Sequence, residues 1–338
     1  DRLLSRGLGD VYKRQDVDYK AQSLQLASAP ALLDGQAQGN YTVDLRPEIT
    51  LGVFSFNVTH EDEAKRNVFG DVRFREAMSI AINRAELNDV GFFGEGTPQQ
   101  YIGFSPKPAF VSDKWMSHAT EFDAARANSL LDEIGMKDTD GDGFRELPNG
   151  DKLVLNMSFA TQGIAGQTVE LVGQYWADVG VQSVVKEVTP DEFRSAQSAN
   201  KLDVMMWRKS QPLAIVLGNN ELWVPPFENY FGVRTGMLWA EWVDSNGANG
   251  VEPPAYVKEL ISDINAFQSA DQSSDEFKVL GERMVKNMVE NLLFIGTVNA
   301  PAPMIHHNNL KNFTSFKTHS YEYYRTYPYR ATQWWLDE

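Results

Sequence analysis

The sequence predicts an α/β fold, a mixed sheet flanked by helices, and three consecutive stretches carry that expectation. "KLVLNMSFA" alternates Leu153, Leu155, Met157 and Phe159 with other residues, the period of a strand with one buried face. "GQTVELVGQYWADVG" sets Val169, Val172 and Trp176 on one helical stripe and ends at Gly180, which suits a left-handed cap. "VQSVVKEV" then returns as a strand. Together they make a β-α-β unit, for which parallel strands and a right-handed crossover are expected.

The remaining elements follow in chain order. From Asp71, "DVRFREAMSIAINRAEL" places Phe74, Ala77, Met78, Ala81, Ile82 and Ala85 on one face of a helix, with Asp71 as its N-cap. "DAARANSLLDEIG" carries Ala127, Leu130, Leu131 and Ile134 on its stripe and stops at Gly135, with Met136 closing over the cap. "TPDEF" supplies Thr189 as N-cap, Pro190 at the first helical position and Glu192 to complete a capping box, ahead of the strand "LDVMMW". Residues 208–256, rich in Trp, Pro, Gly and Asn, read as a long aromatic loop region. Two amphipathic helices follow as a hairpin, one through Val257, Leu260, Ile261 and Ile264, the other after "SSDE" through Phe277, Leu280 and Met284. "NLLFIGTV" is the last clear strand, before the aromatic tail "YEYYRTYPYRATQWWLDE".

Composition narrows the function classes. The chain has 338 residues, 42% of them hydrophobic, enough for a large core and more than one lobe. A net charge of -15 argues against nucleic acid and anionic membrane surfaces as partners. Cysteine is absent, which excludes disulfides and thiol catalysis. No apolar run is long enough for a transmembrane helix, and the N-terminus lacks the apolar core of a signal peptide. Residues 1–15, "DRLLSRGLGDVYKRQ", look like translated adapter sequence and are set aside from the fold.

Three motifs carry a family resemblance. "FGDVRFREAMSIAINRAELNDVGFFGEGTP" (Phe69 to Pro98), "ANSLLDEIGMKDTDGDGFRE" and "YWADVGVQSVVKEV" resemble segments of the extracellular solute-binding proteins, family 5, of bacterial ABC importers. The likeness extends over nearly everything from residue 16 onward. It implies a type II periplasmic-binding-protein-like lobe with remnants of a second lobe, in a C-terminal fragment of a longer chain. On this basis residues 16–55 and 300–338 are assigned to the first lobe (domain I) and 56–299 to the second, ligand-binding lobe (domain III). The resemblance further implies a monomer without cofactor that closes on a small solute and docks on an ABC permease in the inner membrane. Its place would be periplasmic or extracellular and membrane-anchored, with any signal peptide lying outside this sequence.

The site motifs were weighed on chemistry. There is no GxSxG elbow, GxGxxG or P-loop, and "HEDEA" at His60 lacks the second histidine of a zinc helix, which favours a binding protein over an α/β enzyme. His306 and His307 are adjacent on an extended segment and point to opposite faces, so with His319 they are expected on the surface or in packing. "DTDGDGFRELPNG" places Asp138, Asp140, Asp142, Gly143 and Phe144 as in a calcium loop. Asn149 stands where the bidentate carboxylate belongs and a strand follows, so a structural turn is expected and no metal is assigned.

In peptide-binding members of the family, an aspartate just after the strand corresponding to "LDVMMW" holds the peptide amine. Here Arg208, Lys209, Ser210, Gln211 and Pro212 stand there, with no acid. The candidate ligand residues are Trp207 and Trp223 for stacking on a sugar ring, Arg208 to orient a polar or anionic group, and the aromatic residues Phe54 and Tyr230. Trp239 and Trp242 belong to the same cluster, although some of these tryptophans are expected in the core. "GANGVEPP" resembles the branch that includes oligosaccharide binders. The expected solute is an oligosaccharide or a peptide-like compound, with a peptide or opine held through Arg208 as the alternative.

Overall fold

The computed structural model describes residues 18–21, 24–47, 50–161, 163–209, 213, 235–314 and 331–337. Two antiparallel sheets are joined end to end by the chain at two places. The first has the order β1 (Tyr19–Lys20), β9 (Pro301–His307), β2 (Tyr41–Pro47); the second has the order β4 (Thr97–Pro98), β8 (Ile295–Asn299), β3 (Thr50–Phe56), β7 (Val204–Lys209). Only Ala300 separates β8 from β9, and two residues lie between β2 and β3, so the chain passes between the sheets twice. On the two sides of the junction Pro47 stands opposite Pro301 and Leu51 opposite Val298.

The expected β-α-β unit is present as a separate parallel pair. β5 (Val154–Phe159) and β6 (Gln182–Glu187) run in register around the helix Gly166–Asp178, and Leu153, Leu155, Met157 and Phe159 are all buried. This pair sits beside β7, where Asn156 N donates to Asp203 Oδ2 at 2.8 Å.

Helices cover these sheets: α1 (Ala29–Gly39), α2 (Glu63–Gly70), α3 (Val72–Ile80), α4 (Arg84–Phe92), α5 (Ala124–Glu133), α6 (Gly166–Asp178), α7 (Pro190–Ser198), α8 (Met237–Asp244), α9 (Ala255–Ser269) and α10 (Asp275–Glu290). The caps are those expected at Asp71, Gly135, Gly180 and Thr189; Glu192 completes the box, and Gly135 and Gly180 take φ of 84° and 81°. The core centres on Trp176, whose indole N–H donates to Met78 O at 2.9 Å and whose ring meets Phe54 and Phe56 at 5.5 and 5.3 Å. A second cluster fills the α9–α10 hairpin, where Phe267 stacks on Phe277 at 4.2 Å.

Three expectations are corrected. The single helix from Asp71 is two, because Asn83 accepts from Glu86 N and starts α4 afresh. The restart shifts the phase, so Ala85 is exposed while Arg84 and Leu87 are buried. The aromatic loop contains α8, capped by Gly236 in the left-handed region. Finally, "PAPMIHH" is a strand: β1 pairs only with Ile305 and His306, so Pro301 and Pro303 fall where β9 has a single neighbour and no second N–H is demanded.

Candidate functional site

A candidate site lies where the chain leaves β5 and enters α6. After Phe159 the chain turns, with Gly163 N donating to Ala160 O at 2.8 Å, and enters α6 behind Ala165. Gly163 lies on the Trp207 ring: a Cβ there would stand 2.1–2.5 Å from three ring atoms, so no larger residue lets the loop cross. Trp207 is half-buried and stacks on Phe193 at 5.5 Å and 27°. This loop forms one wall of a cleft of about 220 Å³ at the C-terminal ends of the strands, where α/β folds present ligands. The opposite wall is the segment Leu24 to Ala27, and Gly52, Gly91 and Phe92 close the sides. Gln25 Nε2 donates to Thr161 O at 3.3 Å, linking the two walls. The described lining holds no ionisable side chain.

The sequence candidates fare differently. Trp207 stands behind this wall. Arg208 continues β7, but its side chain lies outside the described residues, as do Trp223 and Tyr230 entirely. Phe54 is corrected: it is fully buried against Trp176, because β3 is a central strand covered on both faces and has no side open to a solute. Trp239 is core, and Trp242 is half-buried with Lys258 Nζ 5.3 Å from its ring centroid. The cleft itself was missed. Its lining comes from four separate stretches of the chain, which leave no local motif.

Other polar clusters are structural in geometry. The oxygens of Asp138, Asp140, Asp142 and Glu146 come within 4.8 Å of one another, Glu146 being a member that loop numbering alone did not pick out. Backbone N–H groups occupy them: Gly141 and Gly143 on Asp138, Asp142 on Asp140, Phe144 on Asp142 and Thr139 on Glu146. Lys152 Nζ reaches both Asp140 and Asp142 at 2.7 Å as an internal counter-charge, which raises the lysine pKa and lowers that of Asp142. Buried Asp203 gathers Lys65 Nζ at 2.8 Å, His60 Nε2 at 3.1 Å and Asn156 N. Burial alone would raise its pKa; the hydrogen bonds from His60, Lys65 and Asn156 outweigh that and hold it below the ordinary aspartate value. His307 is buried and accepts from Asn309 N, whereas His306 lies near Phe313 and Asp44; His319 is outside the described residues.

Comparison with known proteins adds four findings. The profile of the bacterial extracellular solute-binding proteins, family 5 (middle), matches residues 13–213. The periplasmic alpha-galactoside-binding protein of Rhizobium meliloti (strain 1021) is 25% identical over 323 residues, covering 90% of this chain and 43% of that protein. The oligopeptide-binding protein OppA superposes with a TM-score of 0.74 at 26% identity over 99% of this chain and 55% of its own. The periplasmic binding protein MelB of Agrobacterium fabrum C58, in complex with stachyose, gives 0.72 at 19% identity over 90% and 46%. The chain therefore spans about half the length of the relatives it matches.

Proposed function

The chain belongs to the bacterial extracellular solute-binding proteins, family 5, and from that membership we propose that it captures an oligosaccharide for an ABC importer. The observation that carries the choice of solute is the chemistry of the cleft. Its described lining offers no carboxylate for a peptide amine and no cation for a carboxylate, and the segment Arg208 to Pro212, which starts in the last two residues of β7, holds no acid. Neutral hydroxyls suit such a wall. The alpha-galactoside-binding relative supports the same class.

In this reading residues 16–55 and 300–338 belong to one lobe and 56–299 to the other, and solute is bound without chemical change as the lobes close. Trp207 shapes the wall, while Trp223, Tyr230 and Arg208 contribute contacts to the solute. The protein acts outside the cytoplasmic membrane as a monomer, presenting its solute to a permease. Among the described residues no helix is long and apolar enough to cross a membrane.

A second reading has one observation in its favour, the 26% identity to OppA: a peptide or opine whose carboxylate meets Arg208. Calorimetry of the full chain against stachyose and against trialanine separates the two. Stachyose binding without trialanine binding is expected, and the reverse result overturns the oligosaccharide assignment.

A further inference from the structure

Two buried features at the boundary between the lobes pull in opposite directions. Asn299 ends β8 opposite Thr97, one residue before the crossing at Ala300, and its Oδ1 is shut from solvent yet accepts no hydrogen bond among the described residues. A buried acceptor left unpaired is costly, so it favours a movement that lets water in. Against it stands the turn Leu26–Ser28, fixed by Ser28 N and Ser28 Oγ, which both donate to Gln25 O at 2.9 and 2.6 Å. Leu24, just before the turn, is buried in the cluster of Leu32, Tyr41 and Ile305, built from α1 and the first sheet. Leu26, two residues on, is 5% exposed in the other core, the cluster that holds Phe92 and Ile164. The segment thus spans both cores, and its stretch from Leu24 to Ala27 is the cleft wall from which Gln25 reaches Thr161.

We propose that Leu26 and Asn299 form a balanced two-state device between the lobes. Seated in the second core, Leu26 holds the cleft walls together; the unpaired Oδ1 of Asn299 drives them apart by rotation at Ala300 and at the crossing from β2 to β3. This rests on the two-lobe reading and adds what sets the balance between its arrangements. Burying a leucine and orphaning a carbonyl are effects of similar size, so neither decides the outcome alone. The bond from Gln25 Nε2 to Thr161 O, long at 3.3 Å and exposed, is a latch that a small movement breaks. Only the seated arrangement brings both walls to one solute, so the apparent dissociation constant carries the seated fraction. Affinity is then tuned at Asn299, a residue outside the cleft lining.

The chain has no cysteine, so Ala37→Cys on α1 and Glu170→Cys on α6, both exposed, carry two spin labels in the full chain, and pulsed electron resonance reads their separation. Two distances are expected in this labelled parent. Asn299→Leu keeps the size and removes the carbonyl; it moves the ratio of short to long about tenfold toward the short distance. Leu26→Ala moves it about tenfold toward the long one. Gln25→Ala leaves both cores intact and moves it the same way by about twofold, which keeps the direction readable should circular dichroism show that Leu26→Ala unfolds the chain. A purely structural role for these residues would not shift one equilibrium in opposite directions. If two distances are present but Asn299→Leu does not oppose the Leu26 and Gln25 variants, the device is wrong while the two-lobe reading stands. A single distance, unchanged in the parent and every variant, overturns both.

Discussion

Asp203 ties three separate parts of the chain at one carboxylate: Lys65 on α2, His60 just before it and the backbone of β5. Its folded pKa lies below the ordinary value, so its stabilising contribution is complete above the unfolded pKa and is lost as pH falls through the lower folded value. Asp203→Asn should therefore cost about 2 kcal/mol in urea unfolding near neutrality, the scale of a lost hydrogen bond to a charged group. The gap to wild type should stay constant down to about pH 5 and close below about pH 4, the aspartate range. A gap that stayed open below about pH 3 would show that the Asp203 carboxylate is not its source. Arg84 is the other buried charge that matters. It is fully buried and donates to Ser79 O, Gly296 O and Ser79 Oγ; burial pushes its pKa down to about 9. Arg84→Met should cost about 3 kcal/mol by stranding those carbonyls, and a loss below about 1 kcal/mol in the same denaturation experiment would show that they find other donors.

At the scale of elements, the Gly163 turn and β7 are one unit. A methyl at 163 collides with the Trp207 ring, so Gly163→Ala should destabilise by about 1–3 kcal/mol, as overpacking does. Combining it with Trp207→Leu should recover part of that loss. Strictly additive losses in the double-mutant cycle would mean that the turn and the ring do not press on each other. The same scale explains what sequence could and could not reveal. The β-α-β unit was legible because its strand period, its stripe and its glycine caps agree. The break at Asn83 was hidden, since the apolar stripe continues past it, and Pro301 and Pro303 disguised β9. The aromatic Phe54 suggested a ligand contact, but Val53, Ser55 and Phe56 are buried too, and only the sheet order reveals a strand covered on both sides. The cleft is assembled from stretches far apart in the chain, Leu24 to Ala27, Gly52, Gly91 with Phe92, and Thr161 to Thr168, which no local residue pattern announces.

For the whole molecule the decisive quantity is charge. The chain carries a net -15, yet the described lining of its cleft is uncharged. Long-range attraction or repulsion acts on charged solutes and is screened by salt, with a Debye length of ~10 Å at 0.1 M and ~3 Å at 1 M. A neutral oligosaccharide held by hydrogen bonds and apolar contact has no such term. Its dissociation constant should thus change by less than about twofold between ~0.05 and ~0.5 M sodium chloride, with the association rate equally flat. An opine or a peptide carboxylate held by Arg208 behaves otherwise, because the ion pair weakens and the repulsion from the acidic surface fades, both with salt. Rates measured by stopped-flow tryptophan fluorescence across that range separate the cases, and a steep salt dependence would place a charge in the bound solute and require a cation at the site.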